Sequence, residues 1–246
     1  MRRACAWRVS PLPADDIDRA LVRDRLASAV REAGALALHM FRGRPASWIK
    51  GASSPVSEAD LAVDALLRER LLAIRDAGWL SEETEDGPAR LQRAEVWVVD
   101  PIDGTRAFLA GLAEWVIAAA LVRLGRPLVA ALYAPVSDEL FLSVDSLAAV
   151  EPRIVTAPRI PSLALRLARV ATGALDGIFA APNSHDWDLA AADLLVHEAG
   201  GLVTTLTGES LIYNRPDPVH GALVAAGRAR HELLLGLIRD RLAEFA

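Results

Sequence analysis

The 246-residue sequence contains one cysteine, few aromatic residues and no long apolar run. The single Cys5 cannot form an intramolecular disulfide, and it lacks the neighbours that would complete a zinc site. Apolar runs such as Trp115–Val122 have the length of a strand, well below the roughly 18 residues that a transmembrane helix needs. Acidic residues follow the two N-terminal arginines before any apolar segment suited to a signal peptide. These absences predict a soluble, cytoplasmic protein without a membrane span.

Basic residues are too few for a broad nucleic-acid-binding face. The chain has 27 lysines and arginines against 32 aspartates and glutamates, which gives a formal net charge of −5. Surfaces that bind nucleic acid polymers are basic, so this charge balance argues against such a partner. The charge does not exclude a small phosphorylated metabolite as a partner, because an acidic protein can bind phosphate through a metal ion.

Apolar periodicity and turn residues predict helices packed on a largely antiparallel sheet. Asp15 is expected to cap a helix that runs to about Phe41, and Ser57 to start a second one. The tract between them, WIKGASSPVSEAD, is predicted to be a loop. Further strands are expected at Val96–Val99, Trp115–Arg123, Pro127–Tyr133, Leu140–Val144 and Ile178–Ala180, and further helices at Ser162–Thr172, Asp188–Ala199 and Ala229–Phe245.

Domain organisation is expected to be simple. The segment Val144–Pro161 contains proline and has little pattern, so it is the natural boundary between two subregions. We therefore predict an α/β fold of residues 1–150 and 151–246 in one compact unit, with a larger antiparallel-rich sheet and a smaller C-terminal sheet region.

Three acidic segments lie at predicted element boundaries, namely Ser81–Glu83, Asp100–Thr105 and Trp187–Asp193. Hard cations such as Mg²⁺ prefer oxygen ligands, and carboxylates at strand ends and helix starts can converge on one ion. Each segment alone has a simpler interpretation: a solvated acidic loop for the first, a surface turn with capping aspartates for the second, and a helix cap at Asp188 for the third. The three together favour a metal site.

The segment DPIDGT has the chemistry of a metal cradle. Pro101 stiffens the turn, so Asp100 and Asp103 can point the same way while the carbonyl of Ile102 faces the same space. Gly104 permits close approach of the backbone to a ligand. A helix that begins at the next residue would offer free N–H groups to a phosphate oxygen.

The motifs WVVDPIDGTRAF, the upstream SEE and WDLAAADLLVHEAGG, taken together, resemble the inositol monophosphatase superfamily of lithium-sensitive, Mg²⁺-dependent phosphatases. They occur in the order typical of that family, and the resemblance extends from about Lys50 to Asn214. It implies alternating layers of helix and sheet and hydrolysis of a phosphomonoester by a metal-activated water.

The resemblance also implies a role for each motif residue. Asp60 and Thr105 would orient and deprotonate the attacking water, and the amides of Gly104 and Thr105 would bind the substrate phosphate. Most ligands would come from the N-terminal subregion, and the C-terminal one would complete the site. The implied ligands of two or three Mg²⁺ ions are Glu82, Asp100, the Ile102 carbonyl, Asp103 and Asp188.

Within the superfamily, LSEETEDGPARL, DPIDGTRAF, NSHDWDLAAAD and YNRP most resemble bacterial 3′(2′),5′-bisphosphate nucleotidases, which clear a by-product of sulfate assimilation. Inositol phosphatases commonly carry a glutamate before the WD motif, whereas this chain has Ala180 and Ala181. Arg106 and Arg215 are candidates for binding a second phosphate, although both can equally be interpreted as solvated surface arginines. An inositol-1-monophosphatase and an inactive metal-binding relative remain alternatives, the latter because the segment 143–161 is short for the family. The sequence also leaves open whether the protein forms a homodimer.

Overall fold

A computed structural model describes residues 18–43, 45–50, 54–143 and 160–239. The expected helix start at Asp15, the subregion boundary at residue 150, the segment 144–159 and the helix end at Phe245 lie outside these residues. The helices of the described part are α1 (Arg19–Gly43), α2 (Glu58–Ile74), α3 (Thr105–Leu109), α4 (Leu163–Ala171), α5 (Asp186–Glu198) and α6 (Arg228–Arg239).

The strands of the described residues form two main sheets and two short two-stranded pairs. The larger sheet has the order β3-β4-β5-β6-β7, with β3 and β4 parallel and the other pairs antiparallel. The strands are β1 (Ser47–Lys50), β2 (Ser54–Ser57), β3 (Gly78–Ser81), β4 (Glu95–Asp103), β5 (Val116–Arg123), β6 (Arg126–Ala134), β7 (Glu139–Leu142), β8 (Gly177–Ala180), β9 (Ser184–His185), β10 (Gly201–Thr205), β11 (Val219–His220) and β12 (Leu223–Gly227).

Side-chain alternation in the larger sheet produces a layered architecture. Odd-numbered residues of β4 such as Trp97 and Val99 pack against α1 and α2, whereas Val96 and Val98 pack against α4 and α5. The other side of α4 and α5 covers the antiparallel sheet β10-β12-β8, and α6 packs on that sheet through Leu235. The expected layered fold, with a larger and a smaller sheet, is therefore confirmed.

The predicted loop between the first two helices is wrong, because the structure has a hairpin there. Strands β1 and β2 pair antiparallel, with Trp48 opposite Val56. Trp48 is exposed, whereas its partner Val56 is buried. The many serines and the proline of the tract obscured its alternation, and pairing between the two short strands satisfies their backbone groups.

No helix within the described residues is long and apolar enough to cross a lipid bilayer.

Candidate metal and phosphate site

The end of strand β4 presents the first two carboxylates of the site. The ladder between β4 and β5 has an irregular register between Asp100 and Asp103, the last residues of β4. The N–H of Ile102 donates to Asp100 Oδ1 at 3.0 Å and fixes that carboxylate. The second oxygen, Oδ2, is buried and has no hydrogen-bond partner among the described residues. A buried anionic oxygen without a donor is costly, and a cation at this point would compensate its charge.

Asp103 is fixed from the other half of the fold. Its Oδ2 accepts hydrogen bonds from the Ser162 hydroxyl and from the N–H of Ala164 at 2.8 Å, both at the start of α4. The same Ser162 oxygen accepts from the N–H of Leu165 and caps that helix. The start of α4 thus holds one carboxylate oxygen of Asp103 in place.

Asp188 joins these two carboxylates from helix α5. One oxygen each of Asp100, Asp103 and Asp188 lies within 4.8 Å of the others. Asp188 is fixed in turn, because its Oδ2 accepts from the N–H of His185 at 2.6 Å. Oxygen ligands at this spacing suit a hard divalent cation such as Mg²⁺. The donor set of the described residues therefore fits the metal that the family implies.

Glu82 lies beside this cluster because β3 runs parallel to β4. Its N–H donates to the carbonyl of Val99 at 3.3 Å, immediately before Asp100. Burial and the charges of neighbouring carboxylates, first among them Asp188, raise the pKa of Glu82 to about 8. Burial and the charge of Asp103 raise the pKa of Asp188 to about 7. The site is thus a region of concentrated negative charge that favours a bound cation.

Asp60 and Thr105 meet at the edge of the cluster. Asp60 is the N3 residue of a capping box at the start of α2, and its Oδ2 accepts from the backbone N–H and the hydroxyl of Ser57 at 2.8 and 2.6 Å. Thr105 Oγ1 lies 3.4 Å from Asp60 Oδ1 and 3.1 Å from the Ile102 carbonyl oxygen. Burial raises the pKa of Asp60 above its ordinary value. The structure thus brings the two residues together.

Gly104 allows the chain to pass closely between β4 and α3. Its φ is +101°, and a Cβ at this position would lie 2.9 Å from the Glu114 carbonyl oxygen. Only glycine avoids both the strain and the clash. The residue lines a cleft of about 790 Å³ that also includes Asp103, Thr105 and Asp188. The candidate metal ligands therefore face an open space that can admit a substrate.

Two arginines line the cleft. One is Arg106, whereas Arg215 is not among the lining residues and donates to the Val219 carbonyl. The other is Arg166 of α4, which was not among the predicted site residues and lines the cleft beside Asp103. The sequence had a signal for this position, because Arg166 comes four residues after the helix cap Ser162, and that spacing places both residues on the same side of α4.

The comparisons with known proteins agree with this architecture. The sequence model of the inositol monophosphatase family matches residues 18–151 and 143–243. A glucose-1-phosphate thymidylyltransferase of Streptomyces griseus is 35% identical over 256 residues, 88% of this chain and 96% of that protein. An inositol-1-monophosphatase of Rhizobium meliloti is 31% identical over 202 residues, 65% of this chain and 75% of that protein. The crystal structure of extragenic suppressor protein suhB from Bartonella henselae has a TM-score of 0.73 at 26% identity and covers 87% of this chain and 96% of that one.

Further relatives that are 30% identical include a histidinol-phosphatase of Mycobacterium tuberculosis and the 3′(2′),5′-bisphosphate nucleotidase CysQ of Escherichia coli, the latter over 50% of this chain. The layered fold and the carboxylate cluster define a hydrolase-type site that can hold a divalent cation. The chain belongs to the inositol monophosphatase family, and it is a phosphatase of that family. The names of its relatives differ in substrate, so they leave the substrate open.

Proposed function

We propose that this phosphatase is Mg²⁺-dependent and removes the 3′-phosphate of adenosine 3′,5′-bisphosphate. The observation that carries the proposal is the charge of the cleft. Arg106 and Arg166 line it beside the carboxylate cluster, while the segment Ala180–Pro182 offers no acidic side chain. Guanidinium groups bind phosphate strongly, so the cleft favours a substrate with a second anionic group over a neutral polyol ring.

In this proposal the carboxylates and one carbonyl hold two or three Mg²⁺ ions. When bound, these ions supply positive charge that lowers the pKa of a water molecule and stabilises the oxygens around phosphorus. Asp100 Oδ2 supports this assignment, because it is buried without a hydrogen-bond partner among the described residues and a cation would compensate its charge. The proposed ligands are Glu82, Asp100, the Ile102 carbonyl, Asp103 and Asp188.

Asp60 and Thr105 are proposed to orient the attacking water and to accept its proton. The two Ser57 donors hold Asp60 Oδ2, which leaves Oδ1 beside the Thr105 hydroxyl. That hydroxyl has one hydrogen, which it can donate to Asp60 or to the Ile102 carbonyl, and its lone pairs remain for water. Because burial raises the pKa of Asp60, its carboxylate is a better proton acceptor than an exposed aspartate.

Substrate binding is assigned to two groups of residues on the cleft wall. The amides of Gly104 and Thr105 would bind the phosphate that is hydrolysed, and Arg106 and Arg166 the second phosphate. The volume of about 790 Å³ suits a nucleotide-sized ligand. With this substrate, the protein would act in the cytoplasm on the nucleotide by-product of sulfate assimilation. A homodimer is compatible with the proposal.

The decisive experiment measures kcat/KM for adenosine 3′,5′-bisphosphate and for inositol 1-phosphate, with and without Mg²⁺. The matched variant is Asp103→Asn, which retains an oxygen to accept from Ser162 and Ala164 and removes the charge. We expect a preference for the nucleotide and a loss of activity above about 100-fold in the variant.

Each outcome decides a different part of the proposal. A preference for inositol 1-phosphate would keep the mechanism and overturn the nucleotide as substrate. Activity in Asp103→Asn equal to that of the wild type would overturn the metal site. Metal binding without release of phosphate from either substrate would overturn both substrates and favour the inactive relative.

A further inference from the structure

A buried guanidinium outside the carboxylate cluster has no role in the mechanism above. Arg90 is on a 3-10 helix at Pro88–Gln92, and it is 3% exposed. Its Nε and Nη2 donate to the two carboxylate oxygens of Asp86 at 2.6 and 2.7 Å. Both residues belong to the segment that follows Glu82. This bidentate pair therefore stabilises the local conformation of the segment that carries one candidate ligand.

The same guanidinium also contacts a segment more than 120 residues away. Its Nη1 donates to Asn214 Oδ1, and Nη2 donates to the Arg215 carbonyl oxygen at 3.1 Å. The N–H of Asn214 donates to Asp186 Oδ2 at 2.6 Å. The other oxygen of Asp186 lies 2.7 Å from His220 Nε2. Asp186 is fully buried at the start of α5, two residues before the candidate ligand Asp188.

Hydrogen bonds thus run without interruption from the segment after Glu82 to the first turn of α5. We propose that Arg90 and Asn214 are positioning residues that fix the separation of the Glu82 and Asp188 carboxylates and thereby set the affinity for Mg²⁺. The inference rests on the proposed function, because it takes these two carboxylates as metal ligands.

A positioning role has a physical reason in the charges of the site. The negative charge of Asp188 acts on Glu82, so the two carboxylates repel each other when both are ionised and no cation lies between them. They come from separate segments, one after β3 and the other in α5. Metal–ligand distances tolerate deviations of only about 0.2 Å. A rigid connection between the segments therefore keeps the ligand geometry ready for the ion.

The sharpest test is Asn214→Gly. Asn214 has a φ of +59°, which glycine adopts without strain. Glycine keeps the N–H that donates to Asp186 and removes the side-chain amide, whose oxygen accepts from Arg90. The matched control is Asp138→Gly, since Asp138 also has a positive φ, of +53°, and accepts side-chain hydrogen bonds, from Tyr133 and Arg31.

The readout is Mg²⁺ binding by calorimetry on protein stripped with EDTA, without substrate. We expect Asn214→Gly to raise the Mg²⁺ concentration at half-saturation about tenfold, the lower end of the 10–100-fold range for direct partners of metal ligands, because Asn214 acts on the ligands through Arg90 and Asp186. The Mg²⁺ concentration for half-maximal phosphate release should rise equally, while kcat at saturating Mg²⁺ is retained. Asp138→Gly should bind Mg²⁺ like the wild type.

A purely structural role would give a different result. It would lower the Tm of Asn214→Gly and leave Mg²⁺ half-saturation unchanged, which would overturn the proposal. Arg90→Lys is the second variant, because lysine keeps the charge beside Asp86 but lacks the planar guanidinium that donates to both segments. Mg²⁺ affinity equal to that of the wild type in this variant would also overturn the proposal. If the wild type bound no Mg²⁺, the proposed function itself would fail.

Discussion

The carboxylate cluster predicts that the metal-free protein loses stability as pH rises and that Mg²⁺ reverses this loss. Burial and neighbouring charges raise the pKa of Glu82 from 4.5 to about 8 and that of Asp188 from 3.8 to about 7. The folded protein therefore retains protons that the unfolded chain releases. The stability that these groups contribute is complete below their unfolded pKa values and is lost as pH rises through about 7 to 8.

The magnitude follows from the pKa of Asp188. A rise from 3.8 to about 7 corresponds to about 4 kcal/mol. Glu82 and Asp188 repel each other, so the same repulsion contributes to both pKa values and the two must not be summed. We therefore expect a loss of about 4 kcal/mol from Asp188 alone, a large part of the 5–15 kcal/mol that is typical of a folded domain, and burial also raises the pKa of Asp100 and of Asp103, which adds to this loss.

Other buried groups titrate in the same range and have to be separated from the cluster. Burial raises the pKa of Asp193, which accepts from the Tyr213 hydroxyl at 2.9 Å, to about 7. Burial lowers the pKa of three histidines, whose contribution to stability is instead lost as pH falls; they are His185, His197 and His231. Groups that Mg²⁺ does not affect cancel when the free energies of unfolding with and without Mg²⁺ are subtracted at each pH.

The assay is urea unfolding in EDTA and in saturating Mg²⁺ at about pH 5.5, 7 and 8.5. We expect Mg²⁺ to stabilise the protein slightly at the lowest pH and by about 4 kcal/mol or more at the highest. The control Asp193→Asn should change both pH profiles and leave their difference unaltered. Equal stabilisation by Mg²⁺ at all three pH values would refute the reasoning.

Three further variants test the cleft and its support. Gly104→Ala should lower the free energy of unfolding by about 2–4 kcal/mol in urea titrations, because backbone strain and a steric clash combine. Gly111 also has a positive φ but no close neighbours, so Gly111→Ala should lower the free energy of unfolding by about 1 kcal/mol. Tyr213→Phe removes the donor to a buried carboxylate and should cost about 1–3 kcal/mol near pH 8 and less near pH 5, where that carboxyl is protonated. Arg166→Ala should raise KM for adenosine 3′,5′-bisphosphate about tenfold and leave KM for adenosine 3′-phosphate unchanged, while Arg169→Ala changes neither.

Local features of the site could be predicted from the sequence because they depend on neighbouring residues. The sequence predicts a strand that ends at a turn with Pro101, whereas the structure continues β4 through Asp103 with an irregular register; the helix expected at Thr105 begins there. Asp60 in the first turn of α2 follows from the capping signal at Ser57. Spacing within a short segment dictates these positions.

Contacts between distant segments could not be predicted in this way. Ser162 donates to Asp103 across 59 residues, and Arg90 donates to Asn214 across 124. Neither pair has a local signal, because the topology alone brings the segments together. Strand β12, LVAAG, was also missed: it is covered on both faces, so it has no polar alternation to distinguish it from a loop or a helix.

Four carboxylates of the site are each oriented by a hydrogen bond from the backbone, so the folded chain fixes the groups that would bind the metal or orient the attacking water. In each of Asp60, Asp100, Asp103 and Asp188, a backbone N–H donates to one oxygen and so orients the side chain before any ligand binds. The second oxygen is left for another partner. Substitution by asparagine can therefore retain the local hydrogen bond while it removes the charge, whereas alanine removes both. For this reason the fold should tolerate asparagine at these positions even where Mg²⁺ binding is lost.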